Sequence, residues 1–158
     1  MDTHDESILL LWTHLANQDV RYIMIGGFAV NIHGFSRFTA DVDILIEDSL
    51  VNRKKFRSAL KDAGIGDFEL LETMDIIPGY TTILLDNGME LDIFTKISGF
   101  EENDFSELFE QAVEMEINNI TVKFLHLNHL IHTKKMSNRP KDSVDIEELK
   151  KINNKDFN

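Results

Sequence analysis

Apolar residues recur at helical spacing at Ile8, Leu11, Trp12 and Leu15, which predicts an amphipathic helix from Glu6 to Asn17. Tyr22 to Ile25 is a short apolar run with strand character, and Gly26-Gly27 breaks it. Phe28 to His33 then reads as a helix, and Gly34 to Ala40 as a loop. Val42, Ile44 and Ile46 alternate with Asp41, Asp43 and Leu45, which is the period of a strand. Ser49 is placed to cap a helix that runs through Ala63 and ends at Gly64.

The second half continues the mixture. Phe68 to Gly79 fits a short helix followed by a loop. Thr81 to Leu85 and Met89 to Phe94 flank Asp86-Asn87-Gly88, and Asn-Gly between two apolar runs predicts a hairpin. Asp104 to Glu114 reads as a helix. Ile117 and the run Ile120 to Leu125 predict two short strands turned at Asn118-Asn119. Leu127 to Ser137 and Lys141 to Ile152 read as two helices separated by Asn138-Arg139-Pro140. Strands and helices interleave, so the expected fold is α/β or α+β, a mixed sheet flanked by helices with a helical C-terminus. No repeat and no linker rich in Gly, Ser or Pro divides the 158 residues. One domain over residues 1–158 is expected, with a core over 20–126 and C-terminal helices over 127–153.

Composition narrows the classes. The chain has no cysteine, which excludes a disulfide framework, a thiolate metal site and a cysteine nucleophile. Met1 to Ser7 carries acids where a signal peptide would carry basic residues. The longest apolar runs are too short for a membrane span. A cytoplasmic protein with no membrane partner is the expectation. Asp and Glu number 28 against 16 Lys and Arg, and such a surface repels a polyanion at long range. Nonspecific duplex binding is therefore not expected, while a specific RNA acceptor needs only a local basic patch. The run Arg53, Lys54, Lys55 and Arg57 reads as a solvated helix face.

The chemistry centres on Asp41-Val42-Asp43. Residues i and i+2 of a strand point to one face, so the two carboxylates project together. Side by side they repel unless a cation compensates, and a hard divalent ion prefers oxygen ligands. Asp92, in the apolar frame Leu91-Asp92-Ile93, is a third strand-borne acid. If its strand lies beside that of Asp41, all three converge on a metal site suited to phosphoryl transfer. An isolated Asp-x-Asp more often marks a solvated strand; the Gly-Gly turn and the third acid set this one apart. Gly26-Gly27 permits close backbone approach, as a phosphate site needs, and equally serves a tight strand–helix turn. His129 and His132 share a helix face but lack a third ligand for zinc, and His33 reads as structural. Trp12 reads as core.

Ile25-Gly26-Gly27-Phe28-Ala29-Val30, followed by Gly34, Arg37, Thr39, Asp41 and Asp43, resembles the signature of the nucleotidyltransferase superfamily. Gly34 to Asp43 reproduces the Gly-x-x-Arg-x-Thr-x-Asp-x-Asp run of its small bacterial members related to the AbiEii toxins. Leu130 to Lys134, then Arg139-Pro140-Lys141-Asp142-Ser143-Val144-Asp145, resembles that group's closing motif. The resemblance implies a nucleotidyltransferase fold and enzyme. It implies Mg²⁺ or Mn²⁺ held by Asp41, Asp43 and Asp92, which are also the catalytic residues. It implies nucleotide contacts from Gly26, Gly27, Arg37, Thr39 and Lys134. An NTP would be the substrate, and the acceptor a hydroxyl of RNA such as tRNA, of a protein or of a small molecule. A toxin–antitoxin or phage-defence setting follows, with a cognate antitoxin and a homodimer as further partners. The alternative is a catalytically inactive nucleotide- or partner-binding protein on the same fold.

Overall fold

The computed structural model describes residues 5–153. The outer ends of the expected domain, and residues 1–4 of the acidic start, lie outside that range. The chain runs through α1 (Glu6–Asn17), β1 (Tyr22–Ile25), α2 (Gly26–Ile32), β2 (Asp41–Ile46) and α3 (Leu50–Asp62). It continues through α4 (Leu70–Thr73), β3 (Thr82–Leu84), β4 (Glu90–Phe94), a 3₁₀ turn and α5 (Phe105–Gln111). It closes with β5 (Val113–Ile117), β6 (Ile120–Phe124), α6 (Leu127–Ser137) and α7 (Pro140–Asn153). The helix at Glu6–Asn17, the strand at Tyr22–Ile25, the Asn-Gly hairpin and the Ser49 cap all stand where the sequence puts them. Asp5 caps α1 by accepting from the backbone N–H groups of Ser7 and Ile8, and Ser49 caps α3 by accepting from Asn52.

The six strands form one mixed sheet in the order β3-β4-β2-β1-β6-β5. β1 runs antiparallel to β2, while β2 and β4 are parallel. The pleat gives the sheet two apolar faces. Val42, Ile44 and Ile46 of β2 and Leu91 and Ile93 of β4 join Trp12, Phe56 and Leu60 on the face covered by α1 and α3. Trp12 is fully buried, with its ring edge-on to Phe28 and Phe124 and its N–H aimed at the Met24 sulfur. The opposite face carries Ile23, Ile25 and Leu45 under Leu108, Leu130, Ile131 and Leu149 of α5, α6 and α7. Asp41 and Asp43 alternate with Val42 and Ile44, so they lie on this second face, toward the C-terminal helices. Among the described residues no helix is long and apolar enough to cross a membrane.

Two local expectations are corrected. The helix expected over Asp104 to Glu114 stops at Gln111, because Ala112 turns extended and Val113 to Ile117 pair with β6 as an edge strand. Ladder hydrogen bonds outweigh the helical propensity of Glu114 and Met115 there. Arg53 does not belong to a solvated face. It is only 9% exposed, it donates to Asp48, and it donates to the carbonyls of Leu71 and Met74, which ties α4 to α3. Arg57, on the same helix, is paired with Asp67, Glu69 and Glu72.

Asn52 is a buried polar residue that holds three segments together. It accepts from the Arg21 N–H at 2.8 Å and donates to the carbonyls of Arg21 and Glu47 at 3.0 and 2.9 Å. Asn52→Leu keeps the branching and heavy-atom count and removes all three bonds, so it is expected to lower unfolding free energy by about 2 kcal/mol. Urea titration measures this, and a loss below about 0.5 kcal/mol, the range of an ordinary surface change, would refute the role.

Candidate metal and nucleotide site

Register brings the acids together. On the parallel β2–β4 ladder Asp43 is directly opposite Asp92, and Asp41 is opposite Glu90. Side chains on one face of adjacent strands come within reach of each other, so Asp43 and Asp92 meet and Asp41, two residues earlier on the same face of β2, adds a third oxygen. One carboxylate oxygen from each of Asp41, Asp43 and Asp92 lies within 4.8 Å of the other two. This is the only such cluster of three His, Cys, Asp or Glu side chains among the described residues.

The backbone makes room for it. Ile25, the last residue of β1, pairs with Asp43. Gly26 follows at φ +63, and a Cβ there would stand in the space of the Asp43 carboxylate. A Cβ on Gly27 would collide with the Thr39 side chain and touch the Arg37 guanidinium. The Gly-Gly pair is therefore required by close approach on both sides, and glycine adopts the left-handed Gly26 conformation at no steric cost. Thr39 braces the start of β2 by donating to the Asp41 carbonyl at 3.0 Å. Thr82, across the hairpin from Asp92, donates to one Asp92 oxygen at 2.6 Å.

The site is electrostatically loaded. Burial, then the neighbouring charges of Asp92 and Asp41, push the Asp43 carboxyl from 3.8 up to about 7, against a smaller downward pull from Lys141. Three hard oxygen donors, partly buried and mutually repelling, fit a divalent cation of the Mg²⁺ or Mn²⁺ kind, which would remove the repulsion that raises Asp43.

A cleft of about 440 Å³ opens over the aspartates, and α6 and α7 supply its basic wall. Gly26, Gly27, Arg37 and Lys134 line it together with Asp41, Asp43 and Asp92. Of the residues the sequence singles out, Thr39 lines a smaller neighbouring pocket with Phe38 and Met89. Lys134 is buried, with its ammonium 2.9 Å from Asp145 and 3.3 Å from Asp142. Arg37 makes a two-bond fork with the same Asp145 carboxylate, at 2.8 and 2.9 Å. Arg139 and the Ser137 hydroxyl both donate to Asp142. Burial alone would raise both acids, but for Asp142 the bonds from Arg139 and Ser137, and for Asp145 those from Arg37 and Lys134, hold each below 3.8. Among the described residues His129 and His132 gather no third ligand; both rings pack on Phe100.

Sequence reasoning missed Thr82 and Lys96. Counting back from Asn87-Gly88 along the hairpin would have placed Thr82 opposite Asp92. Lys96 also lines the cleft, two residues beyond the end of β4, and nothing in its sequence surroundings marks it.

The raised Asp43 acid has a measurable consequence. The folded, metal-free protein holds the Asp43 proton more tightly than the unfolded chain does, so stability is expected to fall as pH rises from 3.8 through about 7. In EDTA-treated protein followed by thermal melting, Asp43→Asn should flatten that slope, and millimolar Mg²⁺ should restore stability above the transition in the wild type only. A slope that survives Asp43→Asn unchanged, with no response to Mg²⁺ or Mn²⁺, would exclude the trio as a metal site.

Comparison with known proteins identifies the fold and the family. No protein of curated function matches the sequence. Among solved structures, a Thermotoga maritima protein provisionally assigned as a nucleotidyltransferase superposes with a TM-score of 0.55 at 15% identity, covering 93% of this chain and 90% of its own. An antigenic nucleotidyltransferase-like protein from Paracoccidioides brasiliensis superposes at 0.51 with 18% identity, covering 92% of this chain and 72% of its own. At these identities the likeness shows a shared fold, which is the nucleotidyltransferase fold. The sequence itself matches, over residues 5–157, the family described as nucleotidyl transferase of unknown function, DUF2204, and the chain belongs to that family.

Proposed function

We propose that the chain is a divalent-metal-dependent nucleotidyltransferase that moves an NMP from an NTP to an acceptor hydroxyl and releases pyrophosphate. The observation that carries this reading is the convergence of Asp41, Asp43 and Asp92 oxygens within 4.8 Å beside the Gly26-Gly27 turn. Bound Mg²⁺ or Mn²⁺ would supply positive charge to the phosphates and acidify the acceptor hydroxyl. Asp41 and Asp43, two positions apart on β2, would hold the ion from one strand. Asp92 would close the site from β4 and accept the acceptor's proton, while Thr82 fixes one of its two oxygens. The acceptor oxygen forms a bond to the α-phosphorus. The bond from that phosphorus to the bridging oxygen breaks, and its electron pair leaves with pyrophosphate.

The bare backbone at Gly26 and Gly27 lets the phosphate chain lie against the end of β1. Arg37 adds a planar cation whose orientation the Asp145 fork sets. In water these groups would be screened; in the cleft they are held in place before substrate arrives, which is the usual source of electrostatic catalysis. The AbiEii-like closing motif extends the proposal to a cytoplasmic toxin–antitoxin or phage-defence component, acting on RNA, protein or a small molecule and controlled by a cognate antitoxin. One domain spanning the chain, working alone or as a homodimer, belongs to the same proposal.

Labelled NTPs, Mg²⁺ or Mn²⁺, and a cell extract containing tRNA provide the assay. Transfer of label to an acceptor is expected, and Asp43→Ala should reduce it on the order of 100-fold or more. Undiminished transfer by Asp43→Ala would sink the mechanism. Metal-independent NTP binding without turnover would instead support a nucleotide-binding protein on the same fold.

A further inference from the structure

The cleft holds more cations than it leaves available. Arg37 and Lys134 share Asp145, and Lys134 and Arg139 share Asp142. Moving the Lys134 ammonium to a phosphate would weaken its hold on two carboxylates whose side chains are 0% and 2% exposed. Breaking a buried pair in this way is strongly unfavourable.

Lys141 is built differently. It lines the same cleft, its side chain is exposed, and its ammonium makes no hydrogen bond or ion pair with any described residue. Its charge is nonetheless felt at Asp43, where it opposes the upward push of burial, Asp92 and Asp41. The backbone beneath it is fixed, because the next residue, Asp142, is gripped by Ser137, Arg139 and Lys134. An anchored base with an exposed, unpaired tip beside a carboxylate cluster suits a cation that takes up a polyanion.

We propose that Lys141 is the lysine that binds the phosphate chain of the substrate, alongside Arg37 and the Gly26-Gly27 backbone, and that Lys134 is a positioning residue that holds Asp142 and Asp145, and through Asp145 sets Arg37. This rests on the nucleotide-binding reading above and exchanges the role that the sequence resemblance gives to Lys134. The ligand class is a linear polyphosphate carrying a divalent ion at the aspartates.

Calorimetry with Mg²⁺ and inorganic tripolyphosphate tests this without any assumption about the base. Wild-type binding is expected, with Lys141→Ala weakening it about 10- to 100-fold, the worth of one charge-assisted contact. Lys141→Arg should recover most of the affinity. Lys151→Ala, on the far end of α7 where Lys151 pairs with Glu147 and Glu148, should leave it unchanged. Lys134→Met should lower the melting temperature, whereas Lys141→Ala should not. Equal affinity of Lys141→Ala and wild type, or an equal loss in Lys151→Ala, would overturn the assignment of Lys141 alone. Failure of the wild type to bind either tripolyphosphate or any of the four common NTPs would overturn the nucleotide reading as well.

Discussion

Parallel pairing of β2 and β4 forces Asp43 against Asp92, and the pleat adds Asp41 on the same side. Neither strand can slip to relieve the repulsion. A one-residue shift would carry Val42, Ile44, Leu91 and Ile93 out of the core packed under α1 and α3. The apolar face of the sheet therefore pins the charged face in place. The Asp43 carboxyl, raised to about 7 by burial and its two neighbours, records what that enforced proximity costs in the absence of a cation.

The second half of the chain answers this charge from the other side. α6 and α7 pack over Ile23, Ile25 and Leu45, and in doing so they bring Lys134, Arg139 and Lys141 to the cleft. Their cations do not simply neutralise the aspartates. Asp142 and Asp145 tie up most of the basic charge and fix Arg37 by a fork from a residue 108 positions away. The cleft thus keeps an anionic floor and a cationic wall that remain separate, as a metal-bearing polyphosphate requires. In a chain of net charge −12, Arg37, Lys96, Lys134, Arg139 and Lys141 meet around this one cleft.

Much of this was legible in the sequence because the relevant patterns are local. Period-two alternation gave β2 and the common face of Asp41 and Asp43, and Asn87-Gly88 gave the hairpin that carries Asp92. Gly26-Gly27 was legible as a tight junction, but the reason for each glycine was not. Gly26 clears Asp43 and Gly27 clears Thr39, and both contacts depend on tertiary approach. Arg53 was misread for the same reason: its partners are carbonyls at Leu71 and Met74, far along the chain. The extent of α5 was misread because β6 recruits Val113 to Ile117 into the sheet edge. The division of labour between Lys134 and Lys141 depends on which ammonium is buried among acids, and spacing along a helix does not specify that.

The central claim is that the three aspartates form one metal-bearing nucleotide site. A crystal grown with Mn²⁺ and a non-hydrolysable NTP analogue tests it most directly, through anomalous scattering from manganese. An anomalous peak bounded by Asp41, Asp43 and Asp92, with the analogue's phosphates against Gly26 and Gly27, is the expected result. A fully occupied analogue bound elsewhere, with no anomalous signal at the trio, would contradict it.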